Sequence, residues 1–237
     1  MTDVSPEHGE FDEIVYRISH DLMASVRAIR NLPDWIQEDL DEAGIDLPEE
    51  ARLSMALLKS HSHRMDRMIE GLLIYCRVGR LQKVGPIETS GAIRRIVETM
   101  SIPDRVVLNM QLTPAVMQIG QADFERLIAI LVENAVRHNE STAPHLAISS
   151  TVEDEWWSLH VADNGPGIPA ESREMVFKPM HKLVSRDKDE GSGMGLAIAR
   201  KIVVHYGGKI DVDENAAAGG GAVFAVALPL GDRIASD

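Results

Sequence analysis

The stretch Asp163-Asn164-Gly165-Pro166-Gly167-Ile168 decides how the rest of this chain reads. It follows Ser158-Leu159-His160-Val161-Ala162, whose alternation predicts a half-buried strand. A carboxylate at a strand end, then two glycines around a proline, makes a turn whose backbone can approach a flat ligand closely. On its own it is also an ordinary strand-ending turn. A second glycine run, Gly191-Ser192-Gly193-Met194-Gly195-Leu196, opens an apolar helical pattern through Ile198, Ala199, Ile202 and Val203. Peptide N–H groups at a glycine-rich helix start suit phosphate. Upstream, Glu133-Asn134 sets polar groups on a helix whose apolar face is Phe124, Leu127, Ile128, Leu131 and Ala135. An amide on such a face needs a ligand, a metal or a network, or is a satisfied core asparagine.

These pieces carry a resemblance. Asn134 with His138, Asp163-x-Gly165-x-Gly167, Phe177, and Gly191-x-Gly193-x-Gly195 resemble the N, G1, F and G2 boxes of sensor histidine kinases. That family belongs to the ATPase superfamily shared with gyrase and mismatch-repair ATPases. Ser19-His20-Asp21-Leu22 resembles the phosphoacceptor H box of the same kinases. The resemblance runs from about Phe11 to Leu230. Arg27-Ala28-Ile29 and the run Leu73 to Arg80 are similar to kinases found behind phytochrome-type sensors.

Composition sets bounds. A chain of 237 residues can bury one large core or two modest ones. A net charge of −13 argues against nucleic acid and anionic membranes as partners. The single cysteine, Cys76, excludes an internal disulfide and fits a reducing compartment. No apolar run approaches the ~18 residues of a membrane span, and the N-terminus lacks signal-peptide character. A cytoplasmic location is expected.

In chain order, residues 1–10 read as a loose tail and 11–80 as a dimerisation and phosphotransfer hairpin. Residues 81–237 read as an ATP-binding domain. Phe11, Val15, Ile18, Leu22, Ile29, Leu32 and Ile36 recur at bundle-helix spacing, with Pro33 expected to kink the helix. Gly44 to Pro48 breaks the pattern, and a second helix begins near Glu49-Glu50. Its seam is Ala51, Met55, Leu58, Met65, Ile69, Leu72 and Cys76. One hairpin would leave this seam exposed, so two should pair as a four-helix bundle in a homodimer. His20 lies off the seam and should face outward; His61 and His63 read as surface.

Gly79 to Gly85 reads as a short polar linker. Beyond it, mixed strands with helices on one face predict an α/β sandwich of the histidine kinase and gyrase type. Trp156 and Trp157 are expected to cover a sheet edge, and Lys178 to Glu190 to form a mobile lid.

The resemblance implies a chemistry. Asp163 would accept a hydrogen bond from the adenine amino group, with Gly165 and Gly167 letting the backbone lie against the base. Asn134 would hold Mg²⁺ between the phosphates of ATP. Arg137 and His138 would reach phosphate, as would Lys182 and Arg186 from the lid, where solvated surface charge is the competing reading. Gly193, Gly195 and Leu196 would line the phosphate chain. His20 would be the nucleophile and Asp21 the group that orients its ring and accepts its other proton. The phosphoryl group would pass to an aspartate of a separate response-regulator receiver domain.

The sequence also departs from the family pattern. Ser25 stands where many H boxes have proline, and Ala24 where the phosphatase motif has Thr or Asn. Met180 replaces an aromatic residue in the lid, where methionine can still pack. Two competing readings are a degenerate kinase acting as a docking or phosphotransfer dimer, and an ATP-driven clamp in which Glu133 activates water. Intact Asn134, Asp163 and both glycine runs disfavour the first; the His20 helix disfavours the second.

Overall fold

The computed structural model describes residues 6–80, 82–183, 191–215 and 220–231, and their side chains except at positions 6–17, 19 and 20. Internal contacts divide the chain into two compact units, residues 1–76 with 184–194 and residues 77–183 with 195–237.

The first unit is built on two antiparallel helices, α1 (Pro6–Glu42) and α2 (Glu49–Arg77). The α1 helix starts at Pro6, inside the stretch expected to be a loose tail. Proline is well tolerated there, because the first turn has no use for its missing N–H. At the other end Gly44, at φ +66°, closes a Schellman turn. Ile45 N–H donates to the Leu40 carbonyl at 2.9 Å and Gly44 N–H to that of Asp41 at 3.1 Å. Glu49 and Glu50 occupy the first turn of α2, where their charge suits the helix dipole. Arg30 pairs with Asp66 across the hairpin at 2.7 Å, and Lys59 pairs with Asp34.

Within one hairpin the buried side chains include Val26, Ser62, Leu73 and Cys76. Val26 was not among the seam positions expected from spacing. By contrast Ile18, Leu22, Ile29, Leu32 and Ile36 remain 40–54% exposed, and Leu58 and Met65 are exposed as well. Ser25 is exposed too, as are His61 and His63. A regular stripe of large apolar side chains therefore faces outward. Among the described residues, no helix is long and apolar enough to cross a membrane.

The second unit is an α/β sandwich. In order come β1 (Val84–Glu88), α3 (Thr89–Thr99), β2 (Val107–Gln111), β3 (Val116–Gly120) and α4 (Gln121–Arg137). Then follow β4 (His145–Glu153), β5 (Trp156–Asp163), two short 3-10 turns, α5 (Gly195–His205), β6 (Lys209–Glu214) and β7 (Ala222–Pro229). The main sheet runs β2-β4-β5-β7-β6, antiparallel except for the β2–β4 pair, while β1 and β3 form a separate antiparallel ribbon. Leu146, Ile148, Leu159, Val161, Phe224 and Val226 point to the buried face. The helices cover that face, and period-two alternation leaves the other more open.

One expectation needs correction here. Trp157 does not cover an edge: β5 is the central strand, and the indole is fully buried with its ring 6.1 Å from that of Phe124 on α4. A large aromatic on the inward face of the middle strand fills the space beneath the helix. The short polar linker after α2 is tied down by hydrogen bonds. Gly79 N–H donates to the Asp123 carboxylate at 2.9 Å, and the Gln82 side-chain oxygen accepts from the N–H groups of Ala122 and Asp123 at 3.0 and 3.4 Å. Gln82 thereby caps α4, whose own cap residue, Gly120, has no side chain to do so.

Asp123 is buried and accepts a further hydrogen bond from the Tyr206 hydroxyl at 3.0 Å, which in turn accepts from Gly120 N–H at 3.1 Å. Burial and the adjacent carboxylate push the Tyr206 hydroxyl well above its usual range, so it stays a donor. Tyr206→Phe should leave two buried polar groups short of a partner and cost about 3 kcal/mol in urea unfolding. A loss of under about 0.5 kcal/mol would show the network to be dispensable.

Candidate functional site

The site begins with strand parity. On β5 the inward residues are Trp157, Leu159, Val161 and then Asp163, so alternation carries a carboxylate onto the core-facing side at the strand end. Asp163 is only 7% exposed. Its Oδ1 accepts from Gly165 N–H at 2.8 Å and Ala222 N–H at 3.3 Å. Burial raises its pKa above the usual carboxylate value, opposed by these two peptide bonds and by the nearby His138. Among the described residues Oδ2 accepts no hydrogen bond. A fixed, desolvated carboxylate with one free oxygen is a strong acceptor for a donor-bearing ligand.

The glycines of this turn are set by close approach. Gly167 sits at φ +73°, and a Cβ on it would come within 2.9 Å of the Gly221 carbonyl. Gly221, at φ +101°, packs so tightly that a Cβ would strike the Asp163 carbonyl. That carbonyl also accepts from the Asn215 side chain at 2.8 Å. The turn after β5 and the β6–β7 connection therefore lock back to back. A Cβ on Gly165 would lie 3.3 Å from the His138 carbonyl, so the end of α4 runs directly beside the turn.

On α4, Asn134 is half-buried and its side-chain amide has no hydrogen-bond partner among the described residues. One turn on, His138 closes the helix with its N–H on the Asn134 carbonyl at 3.3 Å. Arg137 and His138 are exposed and able to reach a ligand at the helix end. A free carboxamide oxygen suits Mg²⁺, which takes few protein ligands and completes its shell with water and phosphate oxygens. Gly195 opens α5 and faces Ile130 of α4, where a Cβ would sit 3.5 Å from the isoleucine; Leu196 follows, half-buried.

The structure thus brings together His138, Asp163, Gly165 and Gly167, with Asn134 one turn back on α4 and Gly195 against the same helix. Phe177 is buried edge-on to Phe224 and under the Arg200 guanidinium, which pairs with Glu174 at 2.9 Å. Lys182 is half-buried; Arg186 and most of the expected lid, residues 184–190, lie outside the described residues. Met180, which replaces an aromatic residue of the family pattern, is 48% exposed with φ +61°. Gly193, at φ +71°, belongs to the first unit, as do His20 and Asp21 on α1. The outward placement expected of the His20 ring falls on a side chain outside those described; Asp21 is exposed.

Sequence reasoning missed several contributors. Asn164 bonds the segment after α4 through Asn139, Ser141, Ala143 and His145. Gly221 and Asn215 hold the back of the turn. The Asp-Asn-Gly sequence was the available signal for Asn164, and the Gly219-Gly220-Gly221 run for Gly221; nothing local marks Asn215.

Residues 120–232 match the family model described as histidine kinase-, DNA gyrase B-, and HSP90-like ATPase. The chain is 31% identical to cyanobacterial phytochrome B of Nostoc sp. strain PCC 7120 over 220 residues, covering 87% of this chain and 28% of that protein. It is 25% identical to the signal transduction histidine-protein kinase ArlS of Staphylococcus haemolyticus, covering 91% of this chain and 48% of that protein. Against cyanobacterial phytochrome B, the methanogenesis regulatory histidine kinase FilI and two further phytochromes, it spans 26–30% of their length. In fold it is similar to full-length ShkA in complex with AMPPNP, with a TM-score of 0.67, 19% identity, and 94% of this chain and 47% of that one covered. Residues 120–232 are therefore a domain of the histidine kinase-, gyrase B- and HSP90-like ATPase family, and the chain as a whole is similar to sensor histidine kinases.

Proposed function

We propose that this chain is an ATP-dependent protein histidine autokinase that phosphorylates His20 and hands the phosphoryl group to an aspartate of a separate response-regulator receiver domain. The observation that carries the reading is the buried Asp163 carboxylate, whose Oδ2 accepts no hydrogen bond among the described residues, at a turn against which the end of the Asn134 helix packs. One end of this cluster suits the amino edge of adenine; the other suits a hard cation and phosphate.

Asp163 binds the adenine amino group, and the turn at Gly165 and Gly167 lets the backbone pass close to the ring. Asn134 holds Mg²⁺, which neutralises phosphate charge when bound. His138 and Arg137 at the end of α4 meet phosphate, as do the peptide N–H groups at the start of α5 and the lid cations Lys182 and Arg186. An unprotonated nitrogen of His20 attacks the γ-phosphorus. The nitrogen–phosphorus bond forms as the bond to the bridging oxygen breaks, and ADP leaves. Asp21 orients the ring and takes the proton of its other nitrogen. The exposed stripe of Ile18, Leu22, Ile29, Leu32 and Ile36 supports pairing of two hairpins into a homodimer.

His20→Gln should abolish protein labelling by γ-labelled ATP while nucleotide affinity is kept; label persisting in that variant moves the acceptor elsewhere. Asp21→Asn should slow labelling by at least tenfold at unchanged ATP affinity, and a normal rate rules out its role as base. Asp163→Asn should weaken nucleotide binding roughly 10- to 100-fold, the worth of a hydrogen bond to a charged group. The same variant should leave the unliganded protein as stable or more stable at neutral pH. A carboxylate whose pKa is raised by folding favours the folded state fully below its ordinary value of 3.8, and loses that contribution as pH rises through the raised one. The stability advantage of Asp163→Asn should therefore grow as pH climbs from about 4 to 7. Calorimetry at several pH values checks this; an advantage that shrinks over that span contradicts it.

A further inference from the structure

The side chain of Asn164 uses all four of its hydrogen-bonding positions on one short segment. Its Oδ1 accepts from Asn139 Nδ2 at 2.9 Å and from His145 N–H at 2.7 Å. Its Nδ2 donates to the Ala143 carbonyl at 3.0 Å and to Ser141 Oγ at 3.4 Å. Asn139 is buried, and its own Oδ1 accepts from Ser141 N–H at 3.1 Å. That segment, residues 139–145, directly follows the turn of α4 bearing Asn134, Arg137 and His138.

The neighbouring Asp163 is held by a separate set of bonds. Its Oδ1 rests on Gly165 and Ala222 peptides, and its carbonyl on Asn215, none of which involves Asn164. Two anchorages thus meet at consecutive residues: one fixes the carboxylate to β5 and β7, the other fixes the exit of α4 to the turn. We infer that Asn164 is a positioning residue that holds the phosphate-facing end of α4 in register with the adenine-facing carboxylate, so that one nucleotide engages both. The inference rests on the nucleotide reading of the site. Neither end of the ligand touches Asn164; it acts through the 139–145 segment.

A carboxamide is the group this place demands. Asn164→Asp keeps the shape and both acceptor bonds, but loses the donors and sets a charge against the Ala143 carbonyl and Ser141 hydroxyl. Because Asp163 is held independently, the adenine half should survive the change while the phosphate half loosens.

The test compares two ligands on the full chain, wild type against Asn164→Asp and Asn139→Ala. Adenosine binding is followed by NMR titration and ADP binding with Mg²⁺ by calorimetry, with thermal unfolding of each variant in parallel. Asn164→Asp should bind adenosine within about twofold of wild type and Mg²⁺-ADP at least tenfold more weakly, about 1.4 kcal/mol. It should also need more Mg²⁺ for half-maximal ADP binding. Asn139→Ala removes one of the four bonds and should show the same selective loss to a smaller degree, which decides the matter if Asn164→Asp does not fold. Equal losses for adenosine and Mg²⁺-ADP in a folded variant, or unchanged Mg²⁺-ADP affinity, overturn the positioning role. A wild-type chain that binds neither ligand overturns the nucleotide reading itself, and is seen before any variant is made.

Discussion

A carboxylate held on the dry side of a sheet is the constraint on which the catalytic unit depends. Asp163 continues the inward alternation of Trp157, Leu159 and Val161, so a side chain costly to bury ends the central strand. Two peptide donors to one oxygen hold it there, and the surrounding backbone has to close around it. Gly167 and Gly221 have positive φ because the turn after β5 and the β6–β7 connection meet there without room for side chains. The raised pKa is the electrostatic record of that arrangement. Burying such a group is unfavourable unless a partner offsets the cost, and the proposed adenine contact would supply that partner.

Around this point α4 is held at both ends. The exit of α4 is tied to the turn through Asn139 and Asn164, and its start is capped by Gln82 and anchored by Asp123. Tyr206, just beyond α5, closes on the same Asp123, so the ends of α4 and α5 remote from the site share one buried network. The helical hairpin is organised on a different principle. Its two helices are joined by Arg30–Asp66 and Asp34–Lys59 pairs and a glycine-closed turn, yet they leave a stripe of large apolar residues uncovered. Such a surface suits association with a second copy more than it suits a lone hairpin.

Much of this was legible in the sequence, for reasons that are local. The α4 face of Phe124, Leu127, Ile128, Leu131 and Ala135 is periodic and buries as expected. Glu49-Glu50 and Gly44 mark helix ends through the dipole and the left-handed turn. Asp163 and its glycines were visible because turn chemistry is written in adjacent residues. What was missed depends on contacts far apart in the chain. Trp157 looked like an edge residue because only strand order shows β5 to be central. Gly79 to Gly85 reads as a short polar linker, and its anchorage was not visible because Asp123 and Ala122, which bond Gly79 and Gln82, lie 44 and 40 residues away, beyond any window of local pattern. Asn164 passed as a turn former, since its four partners come from a loop folded alongside.

The central claim is that this site transfers the γ-phosphoryl group of ATP onto a histidine of its own chain. The most direct measurement incubates purified protein with Mg²⁺ and ATP labelled at the γ-phosphate, then partitions the label between protein and free phosphate under acid and alkali. The account predicts protein-bound label that is lost in acid and survives alkali, as a phosphorus–nitrogen bond does. Label appearing only as free phosphate, with none on the protein, would contradict it and point to an ATP-hydrolysing clamp.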